Sequence, residues 1–106
     1  MRHAHRQDTD LDDLIAEITI DCYDEDEQLQ GFENAFDEDA TLPCPGTVVG
    51  EAVEVLRVGQ ADNRRELVAT CRRDGRTHQV ALLDVHLHAD PATARLLAAY
   101  RGRIGA

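Results

Sequence analysis

Residues 21–39 of this 106-residue chain carry nine carboxylates and no basic side chain, and that imbalance is where chemistry is to be sought first. The run Asp21-Cys22-Tyr23-Asp24-Glu25-Asp26-Glu27-Gln28 is followed by Glu33 and then by Asp37-Glu38-Asp39. At about 100° per residue, a helix through this segment sets Asp26, Glu33 and Asp37 within about 20° of a common line. Glu33 and Asp37 are then a like-charge i,i+4 pair, which costs an isolated helix roughly 0.2–0.5 kcal/mol. Asp37, Glu38 and Asp39 add three anions at the helix C-terminus, the end whose dipole is already negative. Asp24 to Glu27 differ, because a helix N-terminus favours negative charge by roughly 0.3–1 kcal/mol per group and capping alone accounts for them. A hard divalent cation relieves the penalties at the other end. Ca²⁺ accepts about six to eight flexible oxygen ligands, whereas Mg²⁺ demands a tight octahedron. The D-x-[DN]-x-[DN]-G spacing of an EF-hand loop is absent, and a solvated acidic face is the reading that needs no ligand.

Other chemistry has less to stand on. His86 and His88, two apart on a predicted strand, would face one side of it, and with His78 or Asp84 they offer the kinds of ligand a transition metal accepts. The sequence has neither an H-E-x-x-H motif nor paired cysteines to support such a site. Cys22, Cys44 and Cys71 are an odd set without C-x-x-C spacing, which predicts free thiols buried as small hydrophobes. No nucleophile elbow, P-loop or dinucleotide fingerprint is present, so no enzymatic activity is expected.

The elements that must position these side chains follow from periodicity. Leu11, Leu14, Ile15, Ile18 and Cys22 fall at helical spacing, with Thr9 or Asp10 as N-cap and Asp12 and Asp13 in the first turn. A second helix is expected from Asp24, where Asp24 and Glu27 form a capping-box pair and Leu29, Phe32 and Phe36 share a face. Gly31 is its weak point. The segment Thr41-Leu42-Pro43-Cys44-Pro45-Gly46 ends helix formation. Period-two patterning then predicts strands in residues 52–58, 66–72, 77–83 and 85–88, with Asp74-Gly75 as a tight turn. Asp90-Pro91 opens a last helix whose apolar face is Leu96, Leu97 and Tyr100. The fold class expected is α+β: two N-terminal helices, a small antiparallel SH3-like β-barrel and a C-terminal helix. Residues 1–8 read as a flexible tail and residues 9–106 as a single domain, divided into a helical acidic segment (9–40), the barrel (41–89) and the final helix (90–104).

This arrangement resembles a cyanobacterial-type family of small acidic calcium-binding proteins, in which helices precede an SH3-like barrel. The resemblance is carried by Asp21-Cys22-Tyr23, by Asp26-Glu27-Gln28 with Gly31-Phe32, by Asp37-Glu38, by Leu42-Pro43-Cys44 and by Val49-Gly50-Glu51-Ala52-Val53-Glu54-Val55. It departs at Glu33, Asn34 and Ala35, at Cys44, and at Ala81 to Asp84. The resemblance implies a calcium buffer or sensor. By matching, it points to Asp26, Glu27, Asp37 and Glu38 as ligands, with Asp24, Glu33 and Asp39 added by position.

Charge and hydropathy bound the partners. The net charge of −10 argues against nucleic acid and anionic membranes, which require clustered Lys or Arg. All 11 basic residues are arginine, and nine of them lie in residues 57–106, so the acidity is local. A non-catalytic module docking a basic protein partner is the alternative function, alongside the transition-metal site at His86 and His88. With no apolar run near the roughly 18 residues that span a bilayer, and no apolar stretch at the N-terminus, a cytoplasmic protein is expected.

Overall fold

The computed structural model describes residues 11–62 and 64–104; the expected tail and the cap residues Thr9 and Asp10 lie outside the described residues. Residues 11–18 form helix α1, and residues 19–21 turn the chain out of it. Helix α2 spans Glu25–Asp39 and helix α3 spans Pro91–Ile104. Between them run strands β1 (Cys44–Val48), β2 (Glu51–Gln60), β3 (Leu67–Arg73), β4 (Arg76–Ala81) and β5 (Val85–Leu87).

Helices α2 and α3 start where the sequence predicts. Asp24 adopts extended backbone and its carboxylate accepts from the Glu27 N–H at 2.8 Å, capping α2. Asp90 does the same for α3, accepting from the Thr93 N–H at 3.3 Å and the Thr93 hydroxyl at 2.8 Å. These hydrogen bonds, the Thr93 side chain's first and the Thr41 side chain's second, hold the Asp90 carboxyl below the usual carboxylate range.

The five strands form one antiparallel sheet in the order β4-β3-β2-β1-β5. The class is α+β as expected, but the sheet stays open: β4 and β5 are its two edges rather than partners that close a barrel. Asp74 and Gly75 both have positive φ (53° and 78°) in the β3–β4 turn, as a two-residue hairpin requires. A second hairpin, at Val49-Gly50, was not foreseen, and it sets the β-branched Val49 at φ 50°. The strand expected over residues 77–83 ends at Ala81, because Leu82–Asp84 form a 3₁₀ turn that buries Leu82 completely.

Helices α2 and α3 cover one face of the sheet. Phe32 and Phe36 are buried, and Phe32 meets Tyr100 edge to face with ring centroids 5.6 Å apart. The Tyr100 hydroxyl accepts from the Leu67 N–H at 2.9 Å, so the one polar atom this ring takes into the core has a partner in β3. Gly31, a soft spot by propensity, has a packing reason: a Cβ there would sit 2.7 Å from the Ile18 carbonyl oxygen. Its absence lets the end of α1 lie against the middle of α2. Among the described residues no helix is long and apolar enough to cross a membrane.

Candidate metal centre

Helix α2 buries Leu29, Phe32 and Phe36, and this decides where its carboxylates can point. They leave on two flanks. One flank, carrying Asp26, Glu33 and Asp37, faces the side of β2 and the β2–β3 loop; the other, carrying Glu27 and Glu38, faces α1. The helical stripe read from the sequence is the first of these.

That first flank is largely satisfied. Arg65 of the β2–β3 loop lies 3.2 Å from Asp26 and 3.5 Å from Glu25. Glu33 accepts from the Gln60 backbone N–H at 3.1 Å with one oxygen, and from the Gln60 side-chain amide at 3.1 Å and the Gln30 amide at 3.2 Å with the other. Gly59 permits this approach, since a Cβ there would lie 3.2 Å from the Glu33 carboxylate. Glu33 is therefore the hydrogen-bonded tie between α2 and β2, held by amide N–H groups rather than by a basic side chain. Asp37 is exposed beyond this tie.

The second flank borders an open groove of about 420 Å³ between α1 and α2. Four carboxylates line it, Glu17, Glu27, Glu38 and Asp39, with the amides of Gln30 and Asn34. Among the described residues no salt bridge reaches any of the four. The last turn of α2 holds no basic residue, so its terminal carbonyls and its two final carboxylates reinforce one another's negative potential. Cys22 registers the field at the other end of the groove. Its thiol, half-buried rather than buried as expected, donates to the Glu27 carbonyl at 3.3 Å; desolvation first, then the carboxylates of Glu27, Asp21 and Asp24, raise its pKa.

The expected ligand set does not form one cluster. Glu27 and Glu38 lie eleven positions apart, and at about 1.5 Å rise per residue that is roughly 16 Å along the axis, beyond what one ion bridges. Asp24, Asp26 and Glu27 belong to the helix start and Asp37, Glu38 and Asp39 to its end. Among the described residues no three His, Cys, Asp or Glu side chains stand close enough to hold a metal ion. The donor chemistry is that of a hard cation, carboxylate and amide oxygen, but the donors are not drawn together. Glu17, which α1 brings to the groove, lies outside the acidic run of residues 21–39 and was not expected in the site; its place in the last turn of α1 was the available signal.

The histidine pair His86 and His88 finds no third ligand among the described residues. His78 lies on β4 and His86 on β5, at opposite edges of the sheet. The His88 ring is engaged with the Thr47 hydroxyl at 2.6 Å. Sheet order therefore separates residues that the linear sequence places close together.

No protein-family model matches the chain, and no curated protein matches it. Two solved structures are similar. A calcium-binding protein in its calcium-binding form superposes with a TM-score of 0.75 at 20% identity, covering 90% of this chain and 89% of that one. The crystal structure of Anabaena CcbP superposes with a TM-score of 0.68 at 21% identity, covering 80% of both. At this identity the likeness is one of fold, and it matches the helices-plus-sheet architecture that the sequence resemblance implied, short of a closed barrel.

Proposed function

We propose that this protein is a non-catalytic calcium-binding protein, a cytoplasmic buffer or sensor whose ligands are carboxylates of residues 24–39 together with Glu17. The observation that carries the reading is the groove between α1 and α2, whose four carboxylates have no basic partner among the described residues. The fold shared with a protein described in its calcium-binding form supports it. The two ends of α2 supply the oxygen donors. At the end of α2, Glu38 and Asp39, with Asp37 beside them and Glu17 across the groove, supply hard oxygen donors. At its start, Asp24, Asp26 and Glu27 supply a second carboxylate group, partly committed already to the cap and to Arg65. Bound there, Ca²⁺ supplies the positive charge that the acidic segment lacks. The carboxylates must close on the ion from their present separation, and this movement costs ordering entropy, so an affinity below that of preformed cages is expected.

Calorimetric titration of the chelator-treated chain with Ca²⁺, and separately with Mg²⁺, in near-physiological salt tests the proposal. Heat on Ca²⁺ addition, weaker heat on Mg²⁺ and a rise in melting temperature are expected, because a ligand that binds only the folded state stabilises it. Neither heat nor stabilisation at millimolar Ca²⁺ would sink it. A change in amide or near-ultraviolet signal on binding distinguishes a sensor from a buffer.

A further inference from the structure

The sheet ends in two edges of unequal character. Strand β5 offers three residues, Val85–Leu87, too few for a long ladder. Strand β4 offers six, Arg76–Ala81, with no proline and no break in its register with β3. Arg76 to Gln79 are exposed, and the only side chain charged at neutral pH is Arg76, at one end. Edges that stay single are short, bulged, proline-bearing or charged along their length, and β4 has none of these devices beyond Arg76.

The turn decides which backbone groups this edge presents. Asp74-Gly75 is a two-residue turn that closes on a hydrogen-bonded pair, Arg73 with Arg76, and bonding alternates from there along the ladder. Arg76, His78 and Val80 therefore turn their backbone groups to β3. Thr77 and Gln79 turn N–H and carbonyl outward, as Ala81 does its N–H, and among the described residues no strand pairs with them. Such a row is a template for another strand.

We propose that β4 pairs antiparallel with β4 of a second copy of this chain, about a two-fold axis at Gln79, joining the two five-stranded sheets into one. The register follows from the outward groups, which only Thr77, Gln79 and Ala81 present. A two-fold axis through Gln79 sets Gln79 against Gln79, Thr77 against Ala81 and His78 against Val80, overlapping the strand along its length. A slip of one residue sets outward groups against groups already bonded to β3. No like charges stand opposite one another, and the two Gln79 amides meet on the axis, where each has a donor and an acceptor for the other. Charge complements the ends. The register places Arg76 against Leu82 of the second copy, at the start of the Leu82–Asp84 turn. Arg76 and Asp84 are both exposed, and among the described residues neither has an ion pair in its own chain. Symmetry makes that contact twice. The strand holds no carboxylate, so pairing brings none of the chain's acidic residues face to face at the axis. The interface is one strand wide, at the small end of specific contacts, so the association is a reversible monomer–dimer equilibrium.

Sedimentation equilibrium of the full-length chain from about 10 μM to about 1 mM, in near-physiological salt with chelator, tests the pairing independently of calcium. Wild type is expected to pass from monomer to dimer. Gln79→Pro deletes an outward N–H and spares the β3 ladder, so association at least about tenfold weaker is expected, with an unchanged circular dichroism spectrum. Gln79→Arg keeps the backbone and sets two guanidinium groups on the axis, and the same loss is expected even if the proline variant does not fold. Arg76→Glu is expected to weaken association by about two- to tenfold, and adding Asp84→Arg to restore it, which a local effect of either side chain would not produce. A wild type that stays monomeric throughout would overturn the proposal. A dimer of undiminished affinity in Gln79→Arg would overturn it by placing the contact elsewhere, and failure of Asp84→Arg to restore Arg76→Glu would overturn the register. Species larger than a dimer would overturn it in favour of β4 meeting the β5 edge of the next copy.

Discussion

The two flanks of α2 carry the same residue types on one helix and have met opposite fates. Toward β2 and the β2–β3 loop, Asp26 has Arg65 and Glu33 has Gln60. Toward α1, Glu27, Glu38 and Asp39 share a groove with Glu17, a further acid. Helical phase separates the flanks, but it is the element packed opposite each that makes one flank a structural tie and leaves the other an electrostatic liability. A carboxylate is therefore a ligand candidate by what it lacks as much as by what it is, and its partner has to be sought far along the chain.

The largest expected effect tests how closely the acidic flank is held to α1. Gly31→Ala places a Cβ 2.7 Å from a backbone oxygen, and overpacking against groups that cannot yield costs roughly 1–3 kcal/mol. The helix propensity of alanine returns about 1 kcal/mol, leaving a net loss of up to about 2 kcal/mol in denaturant unfolding. Gly59→Ala on the other flank meets only the movable end of Glu33 at 3.2 Å and is expected to be close to neutral. Equal losses from the two would break the comparison.

A second contrast concerns binding. Glu38→Gln together with Asp39→Asn is expected to weaken Ca²⁺ by about tenfold or more, since affinity in such sites follows the number of charged ligands. Glu33→Gln is expected to change it by less than about twofold, because its carboxylate is already held by Gln60 and Gln30. Calorimetry on both variants reads the difference, and a Glu33→Gln variant that binds as poorly as the double variant reverses the assignment of the flanks.

The smallest effect lies away from both flanks and shows how a carboxylate behaves when its partner is certain. Asp90 has a folded pKa below its ordinary value, so its contribution to stability is present above that ordinary value and is lost as pH falls through it toward the folded pKa. Thermal unfolding from pH 6 down to about pH 2 is expected to show a smaller acid-induced loss in Asp90→Asn than in wild type; identical slopes would mean that the cap adds nothing.

Much of the frame was legible because local signals sufficed. Asp24 and Asp90 are caps by type and position, Asp74-Gly75 is a hairpin turn by chemistry, and the apolar faces of α2 and α3 follow from spacing alone. Strand β1 was not legible, since Pro45 and Gly46 read as breakers. In the sheet Gly46 is required because a Cβ would lie 2.8 Å from Val55 and 3.0 Å from the His86 carbonyl oxygen. The turn at Leu82–Asp84 was missed for a related reason: its apolar residues fit a strand pattern, while burial of Leu82 settles the backbone otherwise.

The candidate site divides along the same line. That nine carboxylates fall in residues 21–39, that α2 begins at a capping aspartate, and that its last turn opposes its own dipole are properties of neighbouring residues, and local physics is enough to read them. Which of those carboxylates are neutralised is a different question, because Gln60 and Arg65 reach α2 only once the sheet has formed, and Glu17 joins the groove only because Gly31 lets α1 come close. Charge is carried by the residue, whereas its compensation is carried by whichever surface the fold brings against it.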